Sequence, residues 1–346
     1  MFEPFYGLSA SPFQLSPDPS FFYGSRGHKR AYAYMQYGLY QGEGFITLTG
    51  EVGAGKTTLI RGLLQQLDST KVVAAQLVST QLDADSLLRA VATAFGLVVK
   101  DFDKARLLAQ IEAFLVSLVP KGSRALLVVD EAQNLAPEAI EELRMLSNFQ
   151  LKNKALLQSF LVGQPELRKL MQSGGMQQLR QRVIASYHLG PLDRDETRAY
   201  IEHRLKHVGW KGDPKFEDAV FDVVHGFTDG IPRRINTLCN RTLLASFLLE
   251  KHLITAKDVA EVISEFKEEF GESAFAGPGA NETGKVARVN GADSSNPMVA
   301  AGPQDLSNLE ERIVRMEKTI GLTVNLLRQI IATKRAASRP AQQKAP

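Results

Sequence analysis

Two short strings in this chain carry residue types suited to phosphate chemistry. The first is Gly50-Glu51-Val52-Gly53-Ala54-Gly55-Lys56-Thr57, with Thr58 next. It fits the pattern G-x-x-x-x-G-K-[ST]. Its glycines let a loop curl until backbone N–H groups point inward at an anion. A helix opening directly behind the loop adds the partial positive charge of its N-terminus. Lys56 is then the group for the terminal phosphates, and the Thr57 hydroxyl is a magnesium ligand. The second string, Leu126-Leu127-Val128-Val129-Asp130-Glu131, ends an apolar run in two carboxylates. Asp130 is placed to hold the metal through water. Glu131 is placed to polarise an attacking water, as phosphoryl transfer requires. ATP and Mg2+ are the implied cofactors. The bland alternatives are a chance glycine-rich turn and a pair of helix-capping acids. Both strings in one chain, 74 residues apart, argue against them.

These residues need strands and helices to hold them. Strands are predicted at Phe45–Leu48, Val72–Val78, Ala125–Val129, Leu156–Val162 and Ile184–Leu189. Helical patterns fall between them at about 56–67, 84–95, 103–118 and 137–147. The uniformly apolar Ala125–Val129 run suits a central parallel strand, and the alternation of strands with helices implies a parallel sheet covered on both faces. The first string then follows one strand and opens a helix, the setting that such a loop requires. From Asp193 the pattern is helical throughout, and Asp193 with Glu196 reads as a capping box. The expected architecture is an α/β P-loop domain at 1–190 with a parallel five-stranded sheet, then a small all-helical lid at 191–270.

Beyond residue 270 the composition changes. Residues 271–305 hold six Gly, seven Ala, three Pro and one aromatic, which reads as a disordered linker. Order is expected to return at 306–335. There Leu306, Leu309, Ile313, Met316, Ile320, Leu327 and Ile330 follow a heptad seam with Thr323 as its polar exception. A coiled-coil helix that self-associates or binds a partner is expected, with docking on its own body as the alternative. A basic tail at 336–346 follows. It reads first as a solvated end, with peripheral contact to anionic lipid or nucleic acid as the other reading. Ten of the 41 Lys/Arg and seven of the 38 Asp/Glu lie beyond residue 270, so residues 1–270 carry 31 of each. A neutral body argues against DNA binding as the main task. One cysteine, Cys239, excludes an internal disulfide and suits a reducing compartment. The first residues lack the layout of a signal peptide, and no run reaches about 18 apolar residues, so a cytoplasmic location is expected.

With both motifs and the helical region after residue 193 in view, the sequence resembles the AAA+ ATPase superfamily. More narrowly it resembles the ATPase family of general secretion pathway protein A, in the subfamily associated with exosortase (PEP-CTERM) and exopolysaccharide loci. The strings carrying this are Pro12 to Ala31, TGEVGAGKTT, VVDEAQNL, LVGQPEL (161–167), LRQRV (179–183) and GIPRRINTLCNRTLLAS (230–246). The resemblance implies a sensor position at Gln164, where many relatives carry Asn, Ser or Thr. It implies a lid sensor at Arg233, with Arg234 as the alternative. It also implies an arginine finger at Arg182, with Arg180 as the alternative, acting on a neighbouring subunit. Tyr23 and His28 fall where relatives wrap adenine, although a core or capping role is the commoner one for a histidine such as His28. Trp210 and Cys239 read as packing residues.

The function expected is an ATPase coupling nucleotide-driven lid movement to a bacterial envelope secretion, exosortase or exopolysaccharide system. Homo-oligomerisation and docking of an envelope or secretion-system protein through the coiled coil are the expected partnerships. The alternatives are a DNA-handling ATPase of the transposition or replication-initiation type, and a nucleotide switch with negligible turnover.

Overall fold

The computed structural model describes residues 2–16, 18–78, 81–99 and 103–271. The linker, heptad segment and basic tail lie outside the described residues.

Five parallel strands form the central sheet: β1 (Phe45–Gly50), β2 (Val72–Val78), β3 (Arg124–Asp130), β4 (Leu157–Gly163) and β5 (Val183–Leu189). Their order is β2-β3-β4-β1-β5. The expected strands are all present, each within two residues of its sequence-derived bounds. Every residue from Ala125 to Val129 is buried because the pleat sends alternate side chains to two different cores. Ala125, Leu127 and Val129 face one core with α3 (Ala84–Ala94), α4 (Lys104–Leu118) and α5 (Pro137–Leu146). Leu126 and Val128 face the other, with α1 (Arg26–Gln41) and α2 (Lys56–Gln65). Burying each such aliphatic side chain contributes about 1.5–3 kcal/mol before entropy is subtracted. A sheet that is apolar on both faces therefore has to sit between helices.

Helix α1 has no counterpart among the sequence-derived elements. Its buried positions are His28, Ala31, Met35 and Gly38, a helical spacing in which Met35 is the one large apolar side chain and no Leu or Ile takes part. Ser25 caps it, accepting from the His28 N–H. Two short helices, α6 (Pro165–Gln172) and α7 (Gln177–Arg180), occupy the connection between β4 and β5.

After β5 the described residues form helices, apart from the pairing of Lys215–Phe216 with Leu253–Ile254. Helix α8 (Arg194–His207) opens with the expected capping box between Asp193 and Glu196. It is followed by α9 (Asp218–Thr228), α10 (Pro232–Leu248) and α11 (Ala256–Phe270). These four enclose a third core, which Cys239 joins and against which Trp210 packs. Phe2, Tyr6, Leu8, Phe13 and Phe21 are buried in this same core, so the N-terminal segment packs with helices about 190 residues further along the chain.

Candidate functional site

Parallel strands all deliver their C-terminal ends to one edge, where ligands of open α/β sheets bind. That edge holds Gly50 ending β1, Asp130 ending β3 and Gln164 just beyond β4. Since β4 lies between β3 and β1, Gln164 is carried between the acidic pair and the glycine loop.

The loop from β1 to α2 has the backbone that its glycines permit. Gly53 has φ +84° and Gly55 has φ +99°, the left-handed region that side chains avoid. Gly53 also lies against the lid: a Cβ there would fall 2.3 Å from Arg233 Cβ. Lys56 opens α2 and is buried, with Nζ donating to the carbonyls of Gly50 (2.7 Å) and Glu51 (2.9 Å). Burial pulls its pKa below the ordinary lysine value, against the opposing charges of Glu131, Asp130 and Glu51. Among the described residues, this cation is thus hydrogen-bonded only to neutral carbonyls. An incoming anion would satisfy it better.

Thr57 Oγ1 donates to Asp130 Oδ2 at 3.1 Å, and Asp130 Oδ1 accepts from the Glu131 N–H at 3.0 Å. Burial raises the Asp130 pKa. One hydroxyl and one carboxylate side by side are the hard oxygen donors that magnesium takes, usually with water completing its shell. Thr57 and Asp130 therefore fit the metal role assigned to them.

Glu131 has φ +54°, a conformation sparsely used by residues with a Cβ and frequent at functional sites. Its Oε2 accepts from Gln133 Nε2 (2.6 Å) and Gln164 Nε2 (3.0 Å). Burial works to raise the Glu131 pKa. The two amide donors and the charges of Lys56 and Arg233 outweigh it, and the net direction is downward. Glu131 is accordingly an ionised, oriented carboxylate. Gln164 acts on it twice, since its backbone N–H also donates to Gln133 Oε1 at 3.0 Å. Gln133 was not singled out in the sequence, though it lies two residues past Glu131 in VVDEAQNL. Its role depends on the turn Ala132–Asn134, which swings its amide back.

Arg233 lies in the first turn of α10 with its N–H donating to Gly53 O at 3.2 Å, and it lines the cleft with Lys56, Thr57, Thr58 and Glu131. Arg234, the alternative, is instead paired with Asp229 at 2.7 Å. Arg182 is not brought to this cleft. It precedes β5 at the strand's N-terminal end, where Val183 pairs with Phe45, while the glycine loop follows the other end of β1. Its Nη1 donates to Ser147 Oγ at 2.8 Å. Arg180 donates to the carbonyls of Met171 and Ser173.

His28 and Tyr23 both line the cleft, but His28 is built into its floor. His28 is buried, with Nε2 3.1 Å from Ala54 O and Nδ1 2.7 Å from Ser25 Oγ. A carbonyl can only accept, so Nε2 carries the proton and Nδ1 accepts from the serine hydroxyl. Burial lowers the His28 pKa, which keeps the ring neutral. Its position buttresses the glycine loop from below. Among the described residues no group of three or more His, Cys, Asp or Glu could hold a metal ion, and no helix is long and apolar enough to cross a membrane.

Residues 39–171 match the family model of the AAA domain. Together with the parallel sheet and the glycine loop, this gives the fold of an AAA+ P-loop domain. The chain is 41% identical over 261 residues to general secretion pathway protein A of Aeromonas hydrophila. That alignment covers 75% of this chain and 47% of the relative, so the chain spans about half the length of the protein it matches. Among solved structures, the ORC2 protein of Aeropyrum pernix in its ADPNP–ADP complexes superposes with a TM-score of 0.52 at 18% identity, covering 69% of this chain and 66% of that one. Cdc6p of Pyrobaculum aerophilum gives 0.55 at 16% identity, covering 71% and 70%. At these identities the likeness is one of fold.

Proposed function

We propose that this chain binds ATP with Mg2+ in the cleft between sheet and helical lid, and hydrolyses it to drive a partner in a bacterial envelope secretion system. The observation that carries this reading is convergence: Lys56 and Thr57 from α2, Glu131 from the end of β3 and Arg233 from α10, three separate elements, line one cleft. Lys56 would leave its two carbonyl partners for the terminal phosphates, and inward N–H groups of the loop would hold the rest. Thr57 and Asp130 would hold magnesium, which when bound supplies charge neutralisation at the phosphate oxygens. Glu131, ionised and aimed by Gln133 and Gln164, would orient the attacking water and accept its proton. Arg233 would report the γ-phosphate to the lid, because α10 is tied to the loop by the Arg233 N–H to Gly53 O bond.

The location of Arg182, away from its own cleft, suits action on a neighbouring copy in a homo-oligomer. Arginines supplied in trans are worth about 10³–10⁵ in rate in well-studied phosphoryl transfers. The exosortase or exopolysaccharide setting rests on the strings given above, and the heptad segment at 306–330 is the proposed docking element for a partner. The test is phosphate release at rising protein concentration, with and without Mg2+. Activity that requires Mg2+ and rises per molecule with concentration supports the reading. Hydrolysis independent of concentration would remove the trans role of Arg182, and absence of nucleotide binding would remove the site assignment.

A further inference from the structure

A second buried cation lines the cleft, and no motif points to it. Arg204, on α8, lines the same cleft as Lys56 and Arg233 and is only 7% exposed. Among the described residues it meets no carboxylate. Burying an unpaired guanidinium is costly, so its partners have to be good ones. They are backbone and phenol oxygens. Nε donates to Pro12 O (2.5 Å), Nη2 to Gln14 O (3.3 Å) and Nη1 to Tyr200 Oη (3.0 Å). The guanidinium also lies 4.8 Å over the Phe21 ring.

The two carbonyls belong to a strap, residues 12–16, which enters no ladder. Phe13 is buried in the lid core and anchors it. Gln14, Leu15 and Ser16 form one wall of the cleft. Tyr200 extends the arrangement. Burial raises its pKa, so the hydroxyl keeps its proton and gives it to Asn236 Oδ1 at 2.8 Å. Asn236 sits on α10, three residues past Arg233. One arginine therefore links the strap wall to the helix that touches the phosphate loop.

We infer that Arg204 is a positioning residue for nucleobase recognition: it fixes the strap as the wall against the base. This rests on the nucleotide reading above. Its planar fork can serve two carbonyls and a phenol at once, which a lysine ammonium cannot do in the same plane. Among the described residues the strap makes no hydrogen bond to the phosphate loop or to Asp130 and Glu131, so its effect falls on ligands that carry a base.

The test compares equilibrium binding of Mg-ATP and Mg-tripolyphosphate, which shares the phosphates and lacks the base. Arg204→Met should weaken ATP binding by about tenfold or more, the loss expected for charge-assisted hydrogen bonds. Tripolyphosphate affinity should move by less than about twofold. Arg204→Lys should weaken ATP binding by an intermediate factor, and it serves alone if the methionine variant does not fold. Tyr200→Phe removes one of the three oxygen partners of Arg204 and leaves both carbonyl bonds, so it should weaken ATP binding by less than Arg204→Met and leave tripolyphosphate affinity within about twofold. Equal weakening of both ligands by the Arg204 variants, or no change in either, overturns the inference. So does a Tyr200→Phe loss as large as that of Arg204→Met. If the parent binds ATP no better than tripolyphosphate, the base wall is refuted while the phosphate site stands. If the parent binds neither, it is the nucleotide reading itself that fails.

Discussion

The two ends of the cleft are built differently. The phosphate end comes from two contiguous strings, 50–58 and 130–131, each at the end of a β-strand. The base end comes from residues 12–16, 200–204 and 232–236, brought together across about 190 residues. At the phosphate end the work is done largely by backbone: φ values at Gly53 and Gly55 and a helix start at Lys56. At the base end it is done by side chains reaching carbonyls. The contrast shows why one end has a compact signature and the other has none. Backbone geometry demands particular residues at fixed spacing. A side chain that braces a distant strap needs only to be present on the right helix.

Several substitutions would break or sharpen this contrast. The largest effect is expected from Glu131→Gln, which keeps the shape and the two glutamine neighbours but cannot take a proton. Hydrolysis should fall by about 10²–10⁴ while ATP affinity is retained, as read by single-turnover assay beside equilibrium titration. A parent-like rate would assign the base elsewhere. Next comes Lys56→Ala, expected to weaken ATP and tripolyphosphate alike by about a hundredfold. Unlike the Arg204 variants, it should not distinguish the two ligands. Gly53→Ala places a Cβ 2.3 Å from Arg233 Cβ in a left-handed backbone. The loop and α10 must separate, and a loss of about tenfold in activity with melting temperature little changed is the expected result. An unaffected rate would mean that contact between lid and loop is dispensable.

Smaller still should be the effect of Gln164→Ala, about threefold to tenfold in rate, because Gln133 continues to hold Glu131. The smallest concerns His28 and reads on stability. Its folded-state pKa is lowered by burial, so the unfolded chain binds the proton more readily. The stability gained from the neutral ring is full above about pH 6.5 and declines as pH falls below that value. His28→Ala should flatten this decline, so thermal melts at pH 7.5 and 5.5 should differ less in the variant than in the parent. An unchanged difference would assign the acid sensitivity to another group.

Much of the phosphate end was legible before any fold was known. Strand β3 announced itself because five consecutive apolar residues can only be buried on both faces, and its end fixed where Asp130 and Glu131 would stand. Helix α1 was not legible. Its buried stripe uses His28, Ala31 and Gly38, with Met35 as the one large apolar side chain. His28 illustrates the limit: its position near the loop followed from resemblance, yet its service as a neutral buttress under Ala54 depends on a tautomer set by Ser25.

What the sequence by itself determined is the class of chemistry: the glycine loop, its lysine and threonine, the acidic pair, and the parallel sheet that must carry them. These are local demands of backbone curvature and strand burial, and neighbouring residues meet them. What only the tertiary structure decided is which side chains meet across the chain. Gln164 and Gln133 converge on Glu131, Arg233 rather than Arg234 faces the loop, Arg182 stands at the far end of the sheet, and Arg204 holds a strap from 190 residues away. The physical reason is that such contacts depend on strand order and helix packing, which place residues by burial of the whole core and leave no periodic trace at the residues themselves.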